Sequence, residues 1–426
     1  MKLTLEKPVY GGDCLARADG GGKAIFVSLG LPGETVLAHV IEEKKSFAKA
    51  EPDEILSSSP NRVEAWCRHF GSCGGCHLQH ADYVTQLRMK EQVLREMLAR
   101  AGVAIPAEIG VLAGESWGYR NRIRLAVTGD GRIGYRGRRS HEVVPVVECP
   151  IAAPGLLKAA EAVQEFLGSE IAPAAIGEIE IFGNPDESRV LVTLFCTDAP
   201  TNEAGSWLER LRTVLPESVR GLRLVLSDGG LNPQTVATVG EGSITYEAGG
   251  FGYGVEFGAF FQVNRWLVDG LVELVTKGRS GGLAWDLFAG VGLFARRLAG
   301  GFERVVTAEV ASASFAALER NLAGVGAARA IESTTLDFLR RNREERQPRP
   351  DFVVLDPPRA GLGQETTTLL NAIHAPEMVY VSCDPATLAR DLRALTTERY
   401  RVESVTLVDM FPQTFHIETV VGLARS

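Results

Sequence analysis

The stretch "GLAWDLFAGVGLFARRLAGGFERVVTAEV", residues 282–310, decides the fold class. "GLAWDLFAG" reads as a strand that ends in glycines, "VGLFARRLAG" as a helix, and "RVVTAEV" as a second strand. Strand, glycine turn, helix and strand form the unit of a doubly wound α/β sheet, which binds ligands at the carboxyl ends of its strands. Gly290 and Gly292 let the backbone turn tightly and approach a nucleotide, and Ala295 completes the G-x-G-x-x-A spacing. Glu309, nineteen residues after Gly290, ends the next strand, where a carboxylate accepts from ribose hydroxyls. Nicotinamide dinucleotide and S-adenosylmethionine both carry an adenosine, so this loop fits either.

Downstream, "DFVVLDPPRAG" (351–361) and "EMVYVSCDPA" (377–386) read as later strands of the same sheet. Asp356 places a carboxylate at a strand end, and Pro357-Pro358 makes a rigid loop without amide donors. Cys383 sits where a strand gives way to Asp-Pro and a helix. A packing cysteine would sit within the strand; this one sits where substrates meet the sheet. The tail "YRVESVTLVDMFPQTFHIETVVGLAR" reads as a closing strand pair, in which His416 and Glu418 share a face.

Upstream, residues 1–55 read as short strands between glycine turns, a small β-barrel, followed by "SSSPNR" as a linker. A helix, "YVTQLRMKEQVLREMLARAG", ends at Gly102. Residues 119–260 alternate strands and turns, with helices in "GLLKAAEAVQEFLG" and "EAGSWLERLRTVLPE". The expected units are 1–58, 59–258 and 259–426, with helix 83–102 a candidate to pack on the last.

Of 426 residues, 45% are apolar and 23% charged, a globular rather than a disordered composition. A net charge of −8 excludes a uniformly basic nucleic-acid binder but not a local basic surface. No apolar run reaches transmembrane length and no signal peptide opens the chain, so no membrane partner and a cytoplasmic location are expected. No obligate protein partner is evident, and a monomer is expected.

Seven cysteines, an odd number, argue against a disulfide framework. Cys67, Cys73 and Cys76 crowd into ten residues, and Cys149 supplies a fourth thiol; this set satisfies tetrahedral zinc or a [4Fe–4S] cluster equally. Between Trp117 and His141 lie Arg120, Arg122, Arg124, Arg132, Arg136, Arg138 and Arg139 against one acid, Asp130. In a hairpin Arg120, Arg122 and Arg124 share a face suited to phosphate contact, with Trp117, Tyr119 and Tyr135 nearby for base stacking.

"DLFAGVG", "LDPPRAG", "VSCDPATLARDL" and "HIETV", in that order, resemble the S-adenosylmethionine-dependent RNA uracil-5-methyltransferases. "YGGDCLARADGGGKAIFVSLGLPGETV" resembles that family's TRAM barrel, and "CRHFGSCGGCHLQH" with the later "ECP" resembles the iron–sulfur motif of its ribosomal-RNA branch. The resemblance implies a class I methyltransferase (Rossmann-like) α/β domain, an OB-like RNA-binding barrel, and a central α+β domain carrying a [4Fe–4S] cluster on Cys67, Cys73, Cys76 and Cys149. It implies Cys383 as nucleophile and Glu418 as general base, with His416 competing. Gln262, Phe288, Gly290, Gly292, Glu309, Asp337 and Asp356 match positions around S-adenosylmethionine, and Phe260 or Phe261 stacks on a flipped base or packs in the core. Leu293 departs from the family, which often carries asparagine there. The implied substrate is 23S ribosomal RNA, with the transfer-RNA T-loop as alternative. A dehydrogenase, or an RNA-binding iron–sulfur protein with a dead catalytic domain, are the competing classes.

The chemistry explains the residue types. Uracil C5 is a poor nucleophile; a thiolate adding at C6 turns C5 into an enolate-like carbon that can take a methyl group, and a base then removes the C5 proton. C5 and C6 of a paired base are enclosed by stacking, so the target lies in a loop or is flipped out.

Overall fold

The computed structural model describes residues 1–17, 22–146, 148–227, 234–343 and 348–426. Residues 18–21 of the barrel motif lie outside the described residues. The strands Lys2–Pro8, Cys14–Arg17, Ala24–Val27, Thr35–Glu43 and Phe47–Ser57 close into a five-stranded barrel. Alternation turns Leu3, Leu5, Ile25, Val27 and Val36 inward, and alanines at 16, 38, 48 and 50 fit the narrow interior. "SSSPNR" is not a free linker: Arg62 reaches back to the buried Glu34 through two hydrogen bonds, at 2.6 and 2.8 Å.

A seven-stranded sheet follows, in the spatial order Gln234–Gly240, Val219–Leu226, Val190–Cys196, Ile176–Gly183, Arg122–Val127, Ile133–Arg136, Val143–Pro145. The helices Pro154–Ser169 and Ala204–Val214 pack on it through Leu156, Val163, Phe166, Trp207 and Leu211.

The C-terminal sheet has eight strands, in the order Ala328–Glu332, Phe302–Glu309, Gly281–Leu287, Phe352–Leu355, Glu377–Ser382, Glu418–Arg425, Tyr400–Val408, Gly110–Leu112. The first five are parallel, and Glu418–Arg425 is antiparallel to both its neighbours. Strand order reverses beside Gly281–Leu287, so a crevice opens where its carboxyl end meets that of Phe352–Leu355. The body of this unit is larger than residues 259–426. The helix Tyr83–Arg100 buries Val93, Leu94 and Leu98 in the same core as Tyr380, Leu392 and Tyr400. The hairpin of Ser243–Ala248 and Phe251–Glu256 likewise shares a core with Val268, Leu271 and Phe294. Among the described residues no helix is long and apolar enough to cross a membrane.

Candidate active site

The ends of three neighbouring strands build the site. In the ladder Ser382 faces Thr419, so the next residue of one strand, Cys383, and the preceding residue of the other, Glu418, continue that register at the same sheet edge. Asp384 starts the next helix, its Oδ1 accepting from the amides of Ala386 and Thr387 at 3.0 and 2.9 Å, and Pro385 occupies the first helical position. Cys383 is thus held at a helix N-terminus, which favours a thiolate. Burial outweighs this, and with the carboxyls of Glu418 and Asp356 nearby it pushes the thiol up to about 12; Arg359 opposes.

Glu418 is 4% exposed. Burial, then the charge of Asp356, raises its carboxyl well above the usual range, with Arg359 again opposing. Burial alone raises Asp356 to about 7, and its Oδ2 accepts from Gln262 Nε2 at 3.3 Å. Cys383, Glu418, Asp356 and Gln262 therefore gather at one place. His416 does not share a strand face with Glu418: it lies in the turn before the strand, and burial together with the Arg359 charge lowers it to about 3, leaving it neutral. Sequence reasoning passed over Arg359. It stands in the quoted "LDPPRAG", and its signal was a cation directly after a rigid Pro-Pro. That loop is pinned to the helix Pro385–Glu398 by Thr387 Oγ1 donating to the Arg359 carbonyl at 3.1 Å and Leu362 N donating to Asp391 Oδ2 at 2.7 Å.

The nucleotide side of the crevice is equally specific. Gly292 has φ +90°, and a Cβ there would strike Leu318 at 2.8 Å, whereas Gly290, at φ +56°, faces open space. Phe288 also takes a left-handed backbone, φ +66°. Glu309 Oε2 accepts from Gly290 N at 2.9 Å, and Oε1 from the amides of Val310 and Ala311 at 2.8 and 2.7 Å, which fixes the carboxylate while Oε2 keeps a lone pair for another donor. Asp286 was also missed. It is fully buried under the glycine loop, where Oδ2 accepts from Ala295 N at 2.9 Å and Oδ1 has no partner; burial raises it to about 8. Asp337 sits in a helix first turn, its carboxylate bonded to Thr334 Oγ1 at 2.8 Å and Arg340 at 3.3 Å. Leu293 packs in the core and its carbonyl accepts from Tyr253.

The two phenylalanines split. Phe261 packs with Tyr246, ring centroids 4.2 Å apart, while Phe260 is 62% exposed. Arg122 and Arg124 alternate with buried Ile123 and Leu125, but the basic face is not free. Arg122 pairs with Glu180, Arg124 and Arg136 with Glu178, and Arg138 and Arg139 with Glu51. Arg124, Arg136, Arg138 and Arg139 line a cleft of about 1030 Å³ whose opposite wall is the barrel loop at Tyr10 and Gly12.

Cys67, Cys73, Cys76 and Cys149 line one cavity of about 240 Å³, with Arg120 and Tyr135 in its wall. Among the described residues no three His, Cys, Asp or Glu side chains converge as a single metal ion requires. Arg120 Nε is buried there without a partner.

A model of the family described as tRNA (Uracil-5-)-methyltransferase matches residues 250–426. An uncharacterised RNA methyltransferase of Streptomyces avermitilis is 36% identical over 97% of this chain and 95% of its own length. The 23S rRNA (uracil(1939)-C(5))-methyltransferase RlmD of Halomonas elongata is 32% identical over 99% of this chain and 89% of its own. The crystal structure of Pyrococcus abyssi tRNA (uracil-54, C5)-methyltransferase in complex with S-adenosyl-L-homocysteine covers the whole of both chains at TM-score 0.78 and 25% identity. With the thiol, the buried carboxyls and the glycine loop at one crevice, the chain belongs to the family of S-adenosylmethionine-dependent RNA uracil-5-methyltransferases.

Proposed function

We propose that this protein methylates C5 of a specific uridine in 23S ribosomal RNA through a covalent bond between Cys383 and uracil C6. The observation that carries the reading is the continuous register of Cys383 and Glu418 across two antiparallel strands beside Asp356 and Gln262. S-adenosylmethionine supplies an electrophilic methyl group on a sulfonium. Gly290, with open space before it, and Glu309, with an oxygen lone pair to spare, would hold its adenosine and ribose, and the exposed Val310 beside them would cover the adenine face. The thiolate of Cys383 adds to C6, and the C5=C6 electron pair moves to C5 and O4. C5 then takes the methyl group as the C–S bond of the sulfonium breaks. Glu418 removes the C5 proton, the C5=C6 bond reforms, and the thiolate leaves. Burial pushes the Cys383 thiol up to about 12 and the Glu418 carboxyl above its ordinary range, and Arg359 is the cation that opposes both shifts and so favours the thiolate and carboxylate the reaction uses.

RNA approaches through the cleft between the TRAM-like barrel and the arginine-bearing hairpin, with Phe260 available to stack on a base. Full-length likeness to ribosomal-RNA enzymes favours 23S RNA; the Pyrococcus abyssi structure keeps transfer RNA as the second reading. Mapping 5-methyluridine in both RNAs from a deletion strain decides between them. The four cysteines would hold the [4Fe–4S] cluster that the motif resemblance implies: they line one cavity, and Arg120 in its wall offers a cation to a cluster that four thiolates leave anionic. The covalent step is tested with RNA carrying 5-fluorouridine at the target. Trapping through Cys383 is expected, and its failure with active enzyme and methyl donor overturns the mechanism.

A further inference from the structure

Glu418 is delivered by the segment Asp409–Ile417, which joins the strands Tyr400–Val408 and Glu418–Arg425. This segment is neither helix nor strand, yet Asp409, Met410, Gln413, Thr414 and Ile417 are buried. Something must fix it, because an irregular buried segment cannot satisfy its own backbone. The partners come from more than 300 residues earlier in the chain. Gln86 Nε2 donates to Gln413 Oε1 at 2.9 Å, while Gln86 Oε1 accepts from Gln413 N at 3.0 Å. The amides of His77 and Leu78 donate to the Gln413 carbonyl at 2.8 and 3.0 Å. Lys90 Nζ donates to Asp409 Oδ1 at 2.5 Å and to the Phe411 carbonyl at 2.9 Å. Gln413 holds φ +67°, a conformation a non-glycine residue keeps only where its surroundings overdetermine it.

The methyl-transfer chemistry uses neither glutamine. We propose that the reciprocal amide pair Gln86–Gln413 is a positioning device for the general base: it locks the segment so that the Glu418 carboxyl meets the C5 proton of the methylated adduct. The inference rests on the assignment of Glu418 as base. It places the demand on the second half of the reaction, because Cys383 follows a different strand, which also pairs with Phe352–Leu355 and leads into the helix that Asp384 caps.

The test separates the two halves in a single turnover with target RNA and S-adenosylmethionine, reading S-adenosylhomocysteine formation and covalent protein–RNA adduct on a denaturing gel. Gln86→Met keeps the volume and removes the bonds; Gln413→Gly keeps the left-handed backbone and removes the amide. Both are expected to form S-adenosylhomocysteine at the wild-type rate but to release methylated RNA roughly tenfold to a hundredfold more slowly, so adduct accumulates. Gln86→Glu, which retains the acceptor for Gln413 N, should recover part of the release rate. Wild-type release in both variants overturns the proposal, and so does an equal loss of both half-reactions, which marks a general loss of structure. Glu418→Gln in the same assay distinguishes the layers. If it traps adduct while the clasp variants do not, the clasp falls alone; if it releases as wild type, the base assignment falls and takes the clasp's role with it.

Discussion

The hydroxyl of Tyr10, in the first turn of the N-terminal barrel, donates to Asp384 Oδ2 at 3.1 Å, while Oδ1 of the same carboxylate caps the helix that begins beside Cys383. The barrel therefore touches the residue next to the candidate nucleophile, 374 positions away in sequence. The Tyr10 ring also meets Phe415 edge-on, with centroids 5.5 Å apart, so the contact has an apolar side and a polar one. Tyr10→Phe retains the ring and loses the hydroxyl. One hydrogen bond of this kind is worth about 1 kcal/mol, so adduct formation with 5-fluorouridine RNA should slow by roughly fivefold. Affinity for S-adenosylmethionine, measured by calorimetry, should not change.

Adduct formation should rise with pH. The Cys383 thiol is pushed up to about 12 and must lose its proton to attack. In the range where the thiol is still protonated, the thiolate fraction grows about tenfold per pH unit. Single-turnover trapping rates between about pH 6.5 and 8.5 check the slope, and Cys383→Ala should trap nothing while still binding the methyl donor.

Glu178 holds Arg124 at 2.6 Å and Arg136 at 3.6 Å on the wall of the cleft. RNA phosphates must displace that carboxylate to use either arginine. Glu178→Gln should therefore tighten RNA binding, by severalfold at low salt, and steepen the plot of log affinity against log salt by about one. Filter binding across a salt series measures both.

Asp286 is raised from its ordinary 3.8 to about 8 by burial. The folded protein thus holds a proton that the unfolded chain releases near pH 4. The resulting stabilisation is complete below the unfolded value and is lost as pH climbs through about 8. Asp286→Asn keeps an acceptor for Ala295 N and does not titrate. Its melting temperature should gain on the wild type as pH rises from about 5 to 8.

Anaerobically purified protein should be brown with broad visible absorbance. Substitution of Cys67, Cys73, Cys76 or Cys149 by alanine should bleach it, whereas Cys14 and Cys196, buried in the cores of the barrel and the central sheet, should be replaceable by alanine without loss of colour. Colourless protein carrying stoichiometric zinc would refute the cluster.

The sequence by itself determined what depends on local chemistry. Glycine spacing and apolar runs gave the strand–turn–helix at 282–310, Asp-Pro after Cys383 gave the helix cap, and alternation gave the barrel strands, because caps, turns and pleats are set by residues a few positions apart. Its motifs also single out Cys383, Glu418, Asp356 and Gln262 as candidates, and the fold brings these residues to one place. Only tertiary structure decided what those groups experience. Helix Tyr83–Arg100 and strand Gly110–Leu112 join the C-terminal sheet through contacts over roughly three hundred positions, which no local pattern encodes. Pairing of the arginines with Glu51, Glu178 and Glu180 was invisible for the same reason: a run of like charges shows itself, but its partners sit on other strands. Burial of Asp286 and Glu418, and hence the upward shift of their carboxyls, follows from the exclusion of water by packed layers, which exists only once the chain has folded.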